Sequence, residues 1–208
     1  MTHGSEPTPI PALERFVVRQ KLTMMVNRYE VIAVDATGTE TGLLCLAQQK
    51  RMAFKEQVTF YADESRSRPV FSFKARTRMD LGATYDVTDA AGTPIGWFRK
   101  DFAKSLLRST WHLGTPDGFE GTGRERNQTV AVLRRFWELV PLLGDIPVPW
   151  LFHFDFTAAD GTVVMSSVKR AAFRDVYRIE LPAAPTGWRL DWRVAAAMAV
   201  ALDALQSR

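Results

Sequence analysis

From Phe16 onward, apolar and polar side chains alternate along the chain. Phe16, Val18, Gln20, Leu22 and Met24 fall on one side of an extended backbone, and Val17, Arg19, Lys21 and Thr23 on the other. A period of two is the mark of a half-buried strand. It recurs in RYEVIAVD (28–35), VTFYAD (58–63), VFSFKAR (70–76), TYDVTD (84–89), IGWFRKDF (95–102), LLRSTWHL (106–113), LFHFDF (151–156), VVMSSV (163–168) and VYRIEL (176–181). So many short strands in one chain predict a barrel or a sandwich. The connections carry turn chemistry, because Asp, Asn and Gly tolerate the backbone angles of tight hairpins. Three look alike: Asp35 to Thr39, Asp89 to Thr93 and Ala158 to Thr162, each with a glycine in fourth place.

Two segments follow a helical period instead. TVAVLRRFWELV (129–140) gathers Val130, Leu133, Trp137 and Val140 near one face before Pro141 stops it, which predicts a short amphipathic helix on the sheet. The second runs from Asp191, a capping residue, to about Gln206, and contains the run VAAAMAVAL (194–202), apolar in every direction. A helix apolar all round must be surrounded by protein. Its many alanines keep it thin enough to thread a closed sheet, while burial between two layers is the alternative. The glycine-rich GTPDGFEGTGRER (114–126) lacks the third glycine and the βαβ setting of a dinucleotide site, and reads as a mobile connection. The first twelve residues, with Pro7, Pro9 and Pro11, read as a disordered tail ahead of one domain over 13–208.

The opening FVVRQKLTMMVNRYEVIAVD (16–35), the stretch LLCLAQQKRMAFKEQVTFYAD (43–63), the hairpin VTDAAGTPIGWFRKDF (87–102), its echo FTAADGTVVMSSVKR (156–170) and the apolar terminal helix occur in an order that resembles the tubby-like superfamily. The resemblance is nearest to its LURP-one-related and phospholipid scramblase branch. It covers about residues 13–206 and implies a mainly β fold, a roughly twelve-stranded antiparallel barrel closed around the C-terminal helix. Members of the superfamily bind phosphoinositides, scramble lipids in response to calcium, or act in transcription-linked and defence roles. The spanning helix, cysteine cluster and acidic calcium loop of scramblases have no counterpart in this sequence.

Composition narrows the chemistry. The 208 residues are 46% hydrophobic, enough for a sizeable core. One cysteine, Cys45, forms no internal disulfide, and with His3, His112 and His153 it makes no Cys/His zinc cage. The thiol lies in the apolar strand LLCLA, where core packing is expected. Glu6, Glu14 and the prolines stand where a leader would be basic and then apolar, and the nine-residue apolar run falls short of the roughly 20 residues of a membrane span. A cytoplasmic location, peripheral to a membrane, is the expectation. His153 and Asp155 share a strand face and invite a base-and-orienter or a metal-holding reading, but no nucleophile motif accompanies them and a solvent-facing polar pair is the expectation. Tryptophans 97, 111, 137, 150, 188 and 192 are scattered, as core and rim residues are. No catalytic residue, metal site or cofactor is assigned.

Charge is unevenly spread. Residues 66–135 carry 13 basic and 7 acidic side chains, whereas the parts before and after are each slightly acidic. Within it, Ser72, Lys74, Arg76 and Arg78 alternate with Phe71, Phe73 and Ala75, and Arg124 and Arg126 follow the glycine-rich stretch. A one-sided row of cations suits phosphate groups. Lys74, Arg76, Arg78, Arg124 and Arg126 are therefore the candidate ligand-binding residues of a non-catalytic module for anionic phospholipid headgroups. The alternatives are a solvated outer face, a nucleic-acid or protein adaptor using the same cations, and a scramblase-like lipid-handling protein.

Overall fold

The computed structural model describes residues 13–22, 26–50, 57–77, 83–101, 110–126, 153–170 and 176–206. They form twelve antiparallel strands: β1 (Arg15–Leu22), β2 (Val26–Val34), β3 (Glu40–Lys50), β4 (Gln57–Tyr61), β5 (Pro69–Ala75), β6 (Thr84–Asp89), β7 (Pro94–Asp101), β8 (Thr110–Gly114), β9 (Glu120–Glu125), β10 (His153–Thr157), β11 (Val163–Arg170) and β12 (Val176–Glu180). Each strand pairs with its neighbours in sequence, and β12 closes the barrel on β1 through Arg15↔Glu180 to Arg19↔Val176. Closure leaves no sheet edge open to other chains. The helix expected at 129–140 and the tail 1–12 lie outside the described residues.

A barrel of eight strands is filled by its own side chains, and twelve strands leave a wider interior. The helix α1 (Trp192–Gln206) fills it. Asp191 caps its start: its carboxylate accepts from Arg193 N–H at 2.9 Å and its carbonyl from Ala195 N–H at 3.1 Å. Val194 to Leu202 are buried on every side, as the all-round apolar run requires. Where α1 crosses β7 the wall is thinned to glycine, and a Cβ at Gly96 would stand 2.7 Å from Val194. Between helix and wall runs a chain of rings: Phe60 stacks on Phe71 at 4.2 Å, Phe71 meets Trp192 edge-on at 5.8 Å, and Phe73, Tyr85 and Phe98 continue it to Trp111.

The far end of α1 is fixed by polar groups. Asp203 is buried near the helix C-terminus, where the dipole disfavours an anion. Tyr29 and Tyr177 donate their hydroxyls to its two oxygens at 2.9 and 2.5 Å, and Gln20 donates to Tyr29 Oη at 3.2 Å.

The three similar turns share one geometry, which extends further than the sequence showed. The N–H of Asp35, Asp89, Thr115 and Ala158 bonds the carbonyl four residues on, and a glycine three residues on bonds back. The segment 184–188 repeats it. Gly38, Gly92, Gly118, Gly161 and Gly187 all have φ between 82° and 89°, where a side chain is strained. In the β4–β5 connection Arg66 takes this role, at φ 54°.

The reading of 114–126 as a mobile connection is corrected: it is a hairpin ending in β9. In β9, Gly121 and Gly123 occupy inward positions, where the Phe119 and Phe156 rings already fill the space. A Cβ at Gly123 would lie 2.3 Å from the Phe156 ring.

Candidate functional site

Alternation on β5 sends Phe71 and Phe73 into the core and leaves Ser72, Lys74 and Arg76 outside. Lys74 is in register with Gln57 of β4 on one side and Asp86 of β6 on the other. Around it Gln57, Ser72, Arg76, Asp86 and Thr88 bound an open depression of about 540 Å3. Ser72 and Thr88 hydroxyls are 3.1 Å apart across the strands. The Arg76 guanidinium makes a forked pair with Asp86, Nε at 2.9 Å from Oδ2 and Nη2 at 2.7 Å from Oδ1. The hydrogen bond to Asp86 raises the Arg76 pKa further above its ordinary value. Lys74 has no ion pair among the described residues. The depression thus offers the Lys74 ammonium, the paired Arg76 guanidinium and Asp86 carboxylate, two hydroxyls and an amide.

The other candidate cations lie elsewhere on the wall. Arg124 points outward from β9, four strand positions from β5, which is roughly 19 Å around the barrel at the usual strand spacing. It has no ion pair among the described residues. Arg126, just past β9, grips Asp155 with Nε and Nη2, both at 2.6 Å. Arg78 lies outside the described residues. The structure therefore brings Lys74 and Arg76 together and sets Arg124 and Arg126 apart from them. Between the two groups stands Arg99 of β7, which the sequence reading did not single out, its guanidinium 5.9 Å from the Trp97 ring centre. The outward alternation of Trp97 and Arg99 within IGWFRKDF was the available signal.

Asp155 and Cys45, which the sequence offers as reactive side chains, are respectively engaged in hydrogen bonds and buried. Asp155 is held by Arg126 and accepts from Ser166 Oγ at 2.7 Å. Burial raises its pKa, but the Arg126 and Ser166 hydrogen bonds outweigh this and hold the carboxyl below the usual range. Cys45 is fully buried, and burial pushes its thiol pKa far up, so it is no nucleophile at neutral pH. Trp111 and Trp192 are core residues, and Trp97 and Trp188 are half-buried. Among the described residues no group of three or more His, Cys, Asp and Glu side chains is placed to hold a metal ion, and no helix is long and apolar enough to cross a membrane.

A closed meander of twelve strands around one apolar C-terminal helix is the architecture that the resemblance implied. The family model for LURP-one-related proteins matches residues 44–203, from β3 to the last turns of α1. The chain belongs to the LURP-one-related family. This family is part of the tubby-like C-terminal superfamily, so the match and the barrel agree. A comparison with curated proteins gave no match. The matched span includes Lys74 and Arg124 and the pairs Arg76–Asp86 and Arg126–Asp155.

Proposed function

We propose that this LURP-one-related barrel is a non-catalytic binding module whose outer β4–β6 face takes the phosphate of an anionic phospholipid headgroup. The observation that carries the reading is Lys74, an ammonium without an ion pair among the described residues, set in a depression lined with hydroxyl and amide donors. A phosphate oxygen accepts from all of these groups. Arg76 stands in reserve, exchanging part of its Asp86 pairing for the ligand. Arg99, two strands on from β5 on β7, adds positive charge beside this face and draws an anionic surface toward it.

Co-sedimentation of the full chain with vesicles tests this. Phosphatidylcholine vesicles containing phosphatidylserine should retain the protein at low salt, and pure phosphatidylcholine should not. Each cation near such a surface contributes about 1 kcal/mol, so Lys74→Glu should weaken retention at least about fivefold with an unchanged melting temperature. Because screening acts over about 10 Å at 0.1 M salt, retention should fall steeply as salt rises. Equal retention by neutral vesicles, an inert Lys74→Glu, or displacement from vesicles by a small excess of duplex DNA would overturn the reading.

A further inference from the structure

A second pocket lies at the end of the barrel that carries the repeated turns, away from the β4–β6 face. We propose that it binds a small organic ammonium ion, held by an aromatic wall and two carboxylates.

The cavity measures about 490 Å3 and lies between the β8–β9 turn, the β10–β11 turn and the segment 184–188. That volume is within the range of small-molecule sites. Phe119 and Trp188, with ring centres 4.4 Å apart, form one wall, and buried Val164 adds apolar surface. Trp188 Nε1 donates to Asp117 Oδ2 at 2.8 Å, so the ring and the carboxylate are fixed relative to each other.

Asp117 and Asp160 both line the cavity. Each is pinned by its own turn: Asp117 accepts from the Thr115 hydroxyl and Asp160 from Thr162 N–H at 2.8 Å. The same bonds hold both carboxyls below the usual range, led by the Thr115 hydroxyl for Asp117 and by Thr162 N–H for Asp160. Both are therefore ionised at neutral pH. Neither has a Lys, Arg or His ion-pair partner among the described residues.

This combination selects the ligand. An anion would meet two like charges, and a neutral apolar molecule would strip water from carboxylates without replacing it. An ammonium on an apolar stem meets the carboxylates with its charge and the Phe119 and Trp188 faces with its body. Phosphate headgroups are excluded from this pocket by the same charges that admit a cation, so it is independent of the β4–β6 face.

The test uses three near-isosteric probes on the full chain: benzylammonium, benzyl alcohol and benzoate, followed by calorimetry and by the tryptophan indole N–H signals. Trp188→Phe identifies the Trp188 signal by its loss. Benzylammonium should shift that signal and bind about fivefold more tightly than benzyl alcohol, the equivalent of about 1 kcal/mol from its charge contacts with the carboxylates, and benzoate should not bind. Asp160→Asn, which keeps an oxygen for Thr162 N–H, should remove most of the preference for the cation. Equal binding of benzylammonium and benzyl alcohol, shifts that spare Trp188, or no binding of any probe would overturn the proposal. The vesicle result does not bear on it.

Discussion

At the scale of single residues, the chain spends specific chemistry on a few positions. Arg66 holds the left-handed conformation that glycine takes in the sister turns. That conformation costs a residue with a Cβ about 1 kcal/mol, so Arg66→Gly should raise stability by a comparable amount, read from the denaturant midpoint. Gly123→Ala should do the reverse and cost about 1–3 kcal/mol, because the new methyl meets the Phe156 ring. Asp155 gives a pH signature. Its folded pKa lies below its unfolded one, so its stabilisation is complete above the ordinary carboxylate value of about 3.9 and is lost as pH falls through the folded pKa. The melting temperature should drop between about pH 5 and about pH 2, and Asp155→Asn should shrink that drop. An unchanged drop would place the acid sensitivity in other carboxylates.

At the scale of elements, α1 is the core around which the wall is built. A stop after Leu190 removes the helix and leaves an apolar lining with nothing to cover it, so the truncated chain should show no cooperative melting. Ala199→Lys should act alike by placing a charge inside the barrel. Tyr29→Phe deletes one donor to the buried Asp203 and should cost about 1.5–3 kcal/mol in chemical denaturation. The helix was legible in the sequence because an apolar run without a polar face has only one kind of home. Strands such as β6 and β12 were legible because one face is core and the other solvent. β3 reads less clearly: a register shift near Leu43 interrupts its alternation, leaving Leu43 exposed while Cys45, Leu46 and Ala47 are all buried. β9 was hidden because its inward residues are two glycines and a glutamate, Gly121, Gly123 and Glu125, and a glycine signals a loop unless the ring that fills its place is known. The candidate site was legible only in part. That Lys74 and Arg76 share a face follows from alternation, but the pairings Arg76 to Asp86 and Arg126 to Asp155 cross between strands, and register is not written in either strand alone.

At the scale of the whole molecule, the barrel is a closed wall whose outer face can be charged without placing charge in the core. Among the described residues, the bases of the middle third lie on or beside β5, β7 and β9 and are partly neutralised by acids at cross-strand positions. Its charge is therefore tunable by the acids as much as by the bases. Asp86→Asn should release the Arg76 guanidinium and strengthen retention on anionic vesicles by up to about fivefold, the opposite of Lys74→Glu, with little effect on the melting temperature. Weaker retention after Asp86→Asn would mean that Asp86 organises the surface instead of masking it.

The most direct test of the headgroup face is to see where a soluble headgroup lands. Amide signals of the full chain should be followed while a short-chain, water-soluble phosphatidylserine is added below its micelle concentration. Shifts concentrated at Gln57, Ser72, Lys74, Arg76 and Thr88, absent with the matching phosphatidylcholine and abolished by Lys74→Glu, are the expected result. Shifts clustered on another part of the wall, or the same shifts with both lipids, would contradict the assignment of the β4–β6 face.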